Sequence, residues 1–487
     1  VTGCKRQTPA LTPKPGWVEQ DAKWWWSAFK EATEIALKGI DLKKVKAIGI
    51  THQRCTNVPV DEDIKPLRSS INWMDTRCTK QVEWAIRNIG ARRIYERTGY
   101  PPSVVWPLYE AMWIKDNEPE IFKKTYKWLA VFDYILYKLT GKIATTTGSA
   151  TQMGCLDITK LTNWATDVME ICGVPQEMWP KILPPAVEAG TVTKEAAEET
   201  GLPEGLPVIT AAGDQPCGCL GVGVTKPGIV GINGGTSCTF ESLTPELRLD
   251  PNMNFYIEYN PMGAYAPEGP VMGGGGAMMR WFRDNFPPLE SEEKEKGISV
   301  WDIIYKEAAE APVGSLGLIT IPYWRGALQP YWDPGARGIM LGFGLSHRRG
   351  HFIRSLMEGL AFELHRNIDL MEEATHYEIT ELRMYGGSSR SDIWNQIFTD
   401  VIGRPAITTQ TPETTTLGAA ICAAKGGGTY ESIEEAAENM IHVRKRYEPL
   451  RENQAVYEKL YNGVYIKFYD RVKDIVHKIS EITDYYP

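Results

Sequence analysis

The chain has 487 residues, 43% of them hydrophobic, and a formal net charge of -8 at pH 7. The chain is too long for one compact core, so two domains are expected. Its net negative charge argues against a nucleic-acid-binding surface. No apolar run approaches the roughly 18 residues of a membrane span, no secretory leader is recognised, and the nine scattered cysteines fit buried thiols, so a cytoplasmic protein is expected.

The first elements alternate helix and strand. Apolar residues at helical spacing predict an amphipathic helix over 21–38. A buried strand follows over 45–50 and leads into the polar loop 51–54, which contains Gln53 and Arg54. From 84 to 140 the pattern is mainly helical, apart from a loop at two consecutive prolines.

A second buried strand is predicted over 206–211, directly before Asp214. Helix-forming residues follow over 219–224, which places Asp214 at the carboxyl end of a strand and ahead of a helix. The break at 226–228 predicts the domain boundary, with one domain over 1–225 and the other over 226–487.

The second domain begins with a predicted hairpin, whose strands 229–232 and 239–243 flank a glycine-rich turn. A further strand over 381–385 is followed by a glycine turn and then by a helix over 392–402. The last apolar stripe, over 456–475, predicts an amphipathic helix packed on its own core. A partner-binding helix and packing back on the first domain are the alternatives.

Alternating strands and helices in both halves predict an α/β protein with two lobes and a ligand cleft between them. In such sheets ligands bind outside the carboxyl ends of strands. The loops around Arg54, Asp214 and Gly387 therefore become the candidate site.

Asp214 is the candidate catalytic residue. A carboxylate at the mouth of a cleft can accept a proton from a substrate hydroxyl during phosphoryl transfer. The structural alternative is that Asp214 only caps the following helix, because Asp near Pro216 is common at helix starts.

Three glycine-rich turns suggest contact with an anionic ligand. They comprise residues 234–237, 273–276 and 386–388. Each can equally serve only its own turn, but together, and following Asp214 along the chain, they suggest a nucleotide bound between the lobes. Neither the phosphate-binding G-x-x-x-x-G-K-[ST] loop nor a G-x-G-x-x-G dinucleotide motif occurs, and the seven histidines show no metal-ligand spacing.

Ordered motifs extend over essentially the whole chain. They are 15–21 (PGWVEQD), 73–77 (WMDTR), 133–141, 213–215 (GDQ), 235–236 (GT), 331–334 (YWDP), 337–338 (RG), 358–361 (EGLA) and 386–420. In this order they resemble the FGGY carbohydrate kinase family. The resemblance implies two actin-like (ribonuclease H-like) lobes, ATP and Mg²⁺ as cofactors, and transfer of the γ-phosphoryl group to a small sugar or polyol.

The resemblance also implies residue roles. Asp214 would be the general base. The acceptor pocket and the nucleotide site would be formed by two further sets of residues. These are Gln53, Arg54, Trp106 and Gln215 for the acceptor, and Gly235, Thr236, Gly276, Arg280, Gly386, Gly387 and Ser391 for the nucleotide.

Three departures from the family pattern bear on function. The family's Asp-x-Gly-Thr hairpin would fall upstream of Val1, so this sequence is expected to begin inside a longer natural chain, with true loss of the motif as the alternative. Arg54 is followed by Cys55 where glycerol kinases carry Glu, and Gln53-Arg54 stands where xylulokinases carry Met-His. A xylulose-like pentulose is favoured as acceptor, with glycerol, erythritol or the autoinducer-2 precursor as alternatives.

Another class of function stays open at this point. A nucleotide-binding regulatory protein without catalytic activity, on the same scaffold, would also fit the missing hairpin. Neither nucleic acid nor membrane is expected as a partner, and a homodimer is left open.

Overall fold

The computed structural model describes residues 6, 8–271, 273–287 and 299–483. Its strands are β1 (Glu19–Gln20), β2 (Ile48–His52), β3 (Asn57–Val60), β4 (Ser70–Ile71), β5 (Lys127–Ala130), β6 (Ala144–Thr146), β7 (Lys181–Leu183), β8 (Glu188–Thr191), β9 (Pro207–Gly213), β10 (Ile229–Gly234), β11 (Cys238–Ser242), β12 (Tyr256–Asn260), β13 (Ala264–Val271), β14 (Ile319–Ile321), β15 (Ile339–Leu341), β16 (Glu381–Tyr385), β17 (Ala406–Thr409) and β18 (Val443–Tyr447).

The α-helices are α1 (Ala22–Ala36), α2 (Thr79–Asn88), α3 (Ala91–Thr98), α4 (Pro107–Asn117), α5 (Pro119–Lys124), α6 (Val131–Thr140), α7 (Thr147–Ala150), α8 (Thr166–Cys172), α9 (Lys194–Thr200), α10 (Asp214–Val222), α11 (Gly276–Asn285), α12 (Val300–Glu310), α13 (Arg349–Thr375), α14 (Asp392–Ile402), α15 (Thr414–Gly426), α16 (Ile433–Met440), α17 (Arg451–Leu460) and α18 (Ile466–Thr483). Within the described residues, no helix is long and apolar enough to cross a membrane.

The strands divide into two lobes. In the first, β2 pairs parallel with β9, β8 pairs antiparallel with β9, and the order β1-β4-β3-β5 forms a separate antiparallel sheet. In the second, seven strands form one mixed sheet in the order β12-β13-β11-β10-β16-β17-β18. Among the described residues no sheet joins strands from both sides of residue 225. This is the two-lobed α/β fold expected from the sequence, while the boundary at residue 225 stays a prediction.

Two helices hold the lobes together at close range. A Cβ added at Gly221 of α10 would lie 1.9 Å from the carbonyl oxygen of Thr414, and one at Gly418 of α15 would lie 1.9 Å from that of Cys217. Glycine is therefore required on both helices, because any side chain would push their backbones apart. Helix α15 also lies against the first lobe's sheet, where Gly49 of β2 faces the carbonyl oxygen of Ala419.

Helix α15 therefore packs on the first lobe, whereas the last helix packs in the core of the second lobe. In α18, the hydroxyl of Tyr469 donates to Asp333 over 2.6 Å, and His477 bonds the same carboxylate over 2.8 Å. The last stripe is also not one regular helix, because a π-helical turn over 461–465 separates α17 from α18. The segment packs on the core of the second lobe, but through a face other than the predicted stripe. Tyr457, Tyr461, Tyr465 and Tyr469 are buried there, whereas Val456, Val464 and Ile475 of the predicted stripe are exposed.

Most predicted elements form close to their expected positions. Strand β16 and helix α14 match the predicted bounds, and β10 pairs antiparallel with β11 as a hairpin. The helical pattern over 84–140 is interrupted by strand β5, which pairs with β3. The eight cysteines among the described residues are all buried and unpaired by disulfides, while Cys4 lies outside the described residues.

Candidate active site

Asp214 lies where strand β9 ends and helix α10 begins. Gly213 holds the N-cap position, so the alternative that Asp214 is the cap is wrong. The Asp214 side chain is 43% exposed, and its Oδ1 accepts a hydrogen bond of 3.0 Å from the backbone N–H of Gln215. A carboxylate with this exposure is available to a molecule in the cleft.

The register of the first sheet brings Arg54 beside Asp214. His52 of β2 pairs with Gly213 of β9, so the strand extends further than predicted and the loop after it meets the start of α10. Cys55 follows with a φ of 50°, in the left-handed region that non-glycine residues rarely occupy. Such strained backbone is common beside functional groups, and here it turns the chain immediately after Arg54.

Arg54 binds three carboxylates. Its Nε donates to Asp214 Oδ1 over 3.0 Å, and its Nη1 donates to Glu258 Oε1 over 2.7 Å. Both Nη1 and Nη2 also bind the two oxygens of Glu268, over 2.6 and 2.7 Å. The two glutamates belong to β12 and β13 of the second lobe, so this one side chain connects the base candidate to the opposite lobe.

The charges in this network are strongly perturbed. Burial opposes the charge of Arg54, but Glu268 and Glu258 outweigh it and raise the pKa of the guanidinium well above its ordinary value. Burial raises the pKa of Glu258, against the opposing pull of Arg54. Burial together with Glu268 raises the pKa of neighbouring Glu241 well above its usual range, which favours a neutral acid there.

Other groups fix the two glutamates. Glu258 Oε2 accepts from Thr151 Oγ1 over 3.0 Å, and the Tyr256 hydroxyl donates to Glu268 Oε1 over 2.8 Å. Sequence reasoning missed both glutamates. The available signal was a carboxylate in the middle of a strand between apolar residues, as in Tyr-Ile-Glu-Tyr-Asn over β12, since such a group is buried only when paired.

Gln215 links Asp214 to the second lobe. Its amide oxygen accepts hydrogen bonds from Asn233, Thr239 and Tyr385, over 2.9, 2.9 and 3.0 Å. Because these three donors occupy the amide oxygen of Gln215, only its amide nitrogen is left to contact the acceptor substrate. Asn233 stands in β10 directly before the first glycine turn, which places this turn close to Asp214 along a chain of hydrogen bonds.

The three glycine turns come together. The backbone N–H of Gly276 donates to the carbonyl of Gly235 over 2.8 Å, and Ala277 donates to that of Thr236 over 2.9 Å. On the other side, a Cβ at Gly386 would lie 2.4 Å from the Asn233 side chain, at a φ of +79°. The turns therefore form one surface, at which side chains are absent because the backbones touch.

Part of this surface faces outward. Thr236, Arg280 and Gly387 are exposed, and Arg280 Nη2 donates to Thr236 Oγ1 over 3.2 Å. Ser391 does not belong to it: its side chain is buried and its hydroxyl caps α14 by accepting from the backbone of Trp394. Ser391 thus serves as a helix cap in this structure, and its contact with a nucleotide stays a prediction.

The remaining acceptor candidates lie in the first lobe. Gln53 donates to Gln20 over 2.7 Å and is half-buried. Trp106 is buried, donates to the carbonyl of Pro101 over 2.6 Å, and packs edge-on against Tyr256 with ring centroids 5.6 Å apart. The Tyr256 hydroxyl donates a hydrogen bond to Glu268, which binds Arg54. By packing on the Tyr256 ring, Trp106 therefore helps to position this network.

No preformed metal cage is present among the described residues, where no three His, Cys, Asp or Glu side chains form a group suited to a metal. Asp214 is the exposed carboxylate at the point where the two lobes meet.

Comparison with known proteins finds matches along most of the chain. The model of the N-terminal domain of the FGGY family of carbohydrate kinases matches residues 2–221, and that of the C-terminal domain matches residues 230–426. A xylulose kinase of Bacillus subtilis (strain 168) is 29% identical over 477 residues, 96% of this chain and 92% of the relative. A gluconokinase of the same organism is 26% identical over 453 residues, 93% and 88% of the two chains.

A solved structure shows the same architecture. The ligand-bound xylulose kinase from Lactobacillus acidophilus superposes with a TM-score of 0.88 at 26% identity, covering 97% of this chain and 94% of that one. The two actin-like lobes and the site between them define an enzyme that transfers a phosphoryl group to an alcohol. The chain belongs to the FGGY family of carbohydrate kinases.

Proposed function

We propose that this carbohydrate kinase transfers the γ-phosphoryl group of ATP to a hydroxyl of a small sugar or polyol, with Asp214 as general base. The observation that carries the proposal is the position of Asp214: it is exposed at the first turn of α10, held by Arg54, and connected through Gln215 to the glycine turns. Acceptor and nucleotide can therefore meet at one carboxylate.

The proposed reaction needs one proton transfer. Asp214 accepts the proton of the acceptor hydroxyl while that oxygen bonds to the γ-phosphorus and the bond to the ADP oxygen breaks. The hydrogen bond from Arg54 Nε fixes Asp214 Oδ1, which leaves Oδ2 for the hydroxyl. Closure of the lobes would exclude water and so favour transfer over hydrolysis.

The glycine surface is proposed to hold the nucleotide. Backbone N–H groups and the Thr236 hydroxyl suit phosphate oxygens, and Arg280 adds a positive charge nearby. Gly386 and Gly387 leave room for the base or ribose. Mg²⁺ bound to the phosphates would neutralise charge on the transferred group.

The acceptor is proposed to be a pentulose resembling xylulose. The similarity to a xylulose kinase over 96% of the chain supports a pentulose. The similarity to a gluconokinase leaves a six-carbon acceptor as an alternative. Glycerol, erythritol and the autoinducer-2 precursor remain alternatives. The homodimer and the cytoplasmic location stay predictions.

The test is ADP release from Mg-ATP with the full-length protein and a panel of pentuloses, hexuloses, glycerol, erythritol and autoinducer-2 precursor. Strong stimulation by one compound is the expected result and would identify the acceptor. Binding of ATP without stimulation by any acceptor would contradict the kinase proposal and favour a nucleotide-binding regulator.

A substitution at Gly387 tests the nucleotide surface. A Cβ there would meet its nearest protein atom, the Gly234 carbonyl oxygen, at 3.7 Å, which is an ordinary contact. We expect Gly387→Ala to fold normally yet to raise KM for ATP roughly 10-fold, because the methyl group would occupy space needed by the nucleotide. Steady-state kinetics and thermal melts separate the two effects.

The matched control is Gly463→Ala, where a Cβ meets nothing within 4 Å and no role in binding is proposed. It should leave KM for ATP unchanged. A wild-type KM in Gly387→Ala would remove this residue from the nucleotide surface.

A further inference from the structure

We propose that the acceptor pocket selects uncharged polyhydroxy compounds and rejects aldonates, because the guanidinium beside the base is already engaged by three carboxylates of the protein. This inference rests on the proposed kinase function and narrows its substrate class. It begins from Arg54, the cationic side chain that contacts Asp214.

The donors of Arg54 are nearly all in use. A guanidinium has five N–H groups, and an arriving carboxylate is bound best by two of them in parallel. Arg54 makes four hydrogen bonds within the protein, one to Asp214, one to Glu258 and two to Glu268. The remaining N–H cannot form the paired contact that would recognise an acid.

The charge balance also disfavours an anion. One guanidinium stands against Asp214, Glu258 and Glu268. Even with Glu258 protonated, the two other carboxylates outnumber the single positive charge. The glutamates are almost completely buried, so water screens their charges little.

The other candidate pocket groups are neutral. Gln53 and Gln215 present amides, which bind hydroxyl groups without preferring a charge. His52 is buried between Ser149, 2.6 Å from its Nε2, and the carbonyl of Gln53, 2.8 Å from its Nδ1. Burial lowers the pKa of His52 to about 4, so the ring adds no positive charge at neutral pH.

The size of the effect follows from Coulomb's law. One uncompensated negative charge about 6 Å from a substrate carboxylate, at an effective dielectric of about 20, corresponds to roughly 100-fold in kcat/KM. A neutral hydroxymethyl group in the same place carries no such penalty.

The experiment uses matched acceptor pairs that differ only in replacing a hydroxymethyl group by a carboxylate: glycerol and glycerate, xylitol and xylonate, glucitol and gluconate. ADP release is measured with the full-length protein, with xylulose included. Neutral members should exceed their acids roughly 100-fold in kcat/KM. An acid that equals or exceeds its neutral partner would overturn the inference while leaving the kinase function intact, whereas no turnover with any compound would overturn both.

A variant tests whether the carboxylates cause the discrimination. Glu268→Gln removes one negative charge, so the positive charge of Arg54 is less fully compensated. The ratio of kcat/KM for the acid to kcat/KM for its neutral partner should therefore rise roughly 10-fold. The matched control is Glu363→Gln, which changes a buried glutamate bonded to Tyr323 and Tyr465 and should leave the ratio unaltered. A folded Glu268→Gln enzyme with the wild-type ratio would contradict the electrostatic origin. If that variant does not fold, the wild-type comparison of neutral and acidic acceptors still tests whether the enzyme rejects aldonates.

Discussion

Asp214→Asn is expected to reduce kcat by roughly 10²–10⁴-fold while leaving ATP affinity within a few-fold of wild type. Asparagine keeps the shape of the side chain, and its oxygen can still accept from Arg54 Nε and from the backbone of Gln215. Only the ability to take a proton is lost. Single-turnover phosphoryl transfer measures the chemical step, and calorimetric titration with ATP measures binding.

The control for this change is Asp302→Asn. Asp302 lies in the first turn of α12, in the second lobe and outside the candidate site. It should turn over like the wild type. A wild-type kcat in Asp214→Asn would exclude Asp214 as the base and leave it a structural role beside Arg54.

Arg54→Met is expected to destabilise the protein by about 3–5 kcal/mol at pH 8, because it strands buried Glu258 and Glu268 without their cation. Methionine keeps much of the apolar volume of the side chain, so the loss reflects charge more than packing. Activity should fall as well, since Asp214 loses the donor that fixes its Oδ1. Denaturant unfolding at several pH values measures the change in the free energy of unfolding.

The loss should be smaller at low pH. Burial raises the pKa of Glu258, and Arg54 is the group that opposes that shift, so the variant raises this pKa further. A carboxyl with a raised pKa in the folded state binds its proton more tightly there than in the unfolded chain. Its destabilising effect is therefore absent below about pH 4 and grows as pH rises toward the folded pKa. Arg54→Met should therefore lie closer to the wild type at about pH 5 than at pH 8.

Two further variants separate this explanation from general damage. Arg54→Met combined with Glu268→Gln removes one stranded charge and should recover part of the lost stability. Arg248→Met breaks an exposed ion pair with Glu246 and should change stability little at either pH 5 or pH 8. Equal losses at pH 5 and pH 8 for Arg54→Met would contradict the buried-charge account.

Much of the framework was predictable from local sequence. Periodicity placed α1, the β10–β11 hairpin, β16 and α14, because each buries one face and ends at turn residues that leave little choice. Periodicity failed where pairing between distant segments determined the structure. The segment β5 was predicted as part of a helical region but forms a strand because it pairs with β3. Likewise, α18 packs on Asp333 and not on the first lobe, which its own stripe could not specify.

The candidate site shows the same division. Asp214 at a strand end, the glycine turns and a cleft between two lobes could all be predicted, since they depend on residue types at short spacing. The buried position of Ser391 as a helix cap and the three donors on the Gln215 oxygen depend on contacts that form only in the folded chain. The tertiary structure alone brought Glu258 and Glu268 onto Arg54, more than 200 residues away along the chain. A buried charge is stabilised by the partner that folding brings within about 3 Å of it. The residues next to that charge in the sequence do not indicate which distant residue the partner will be.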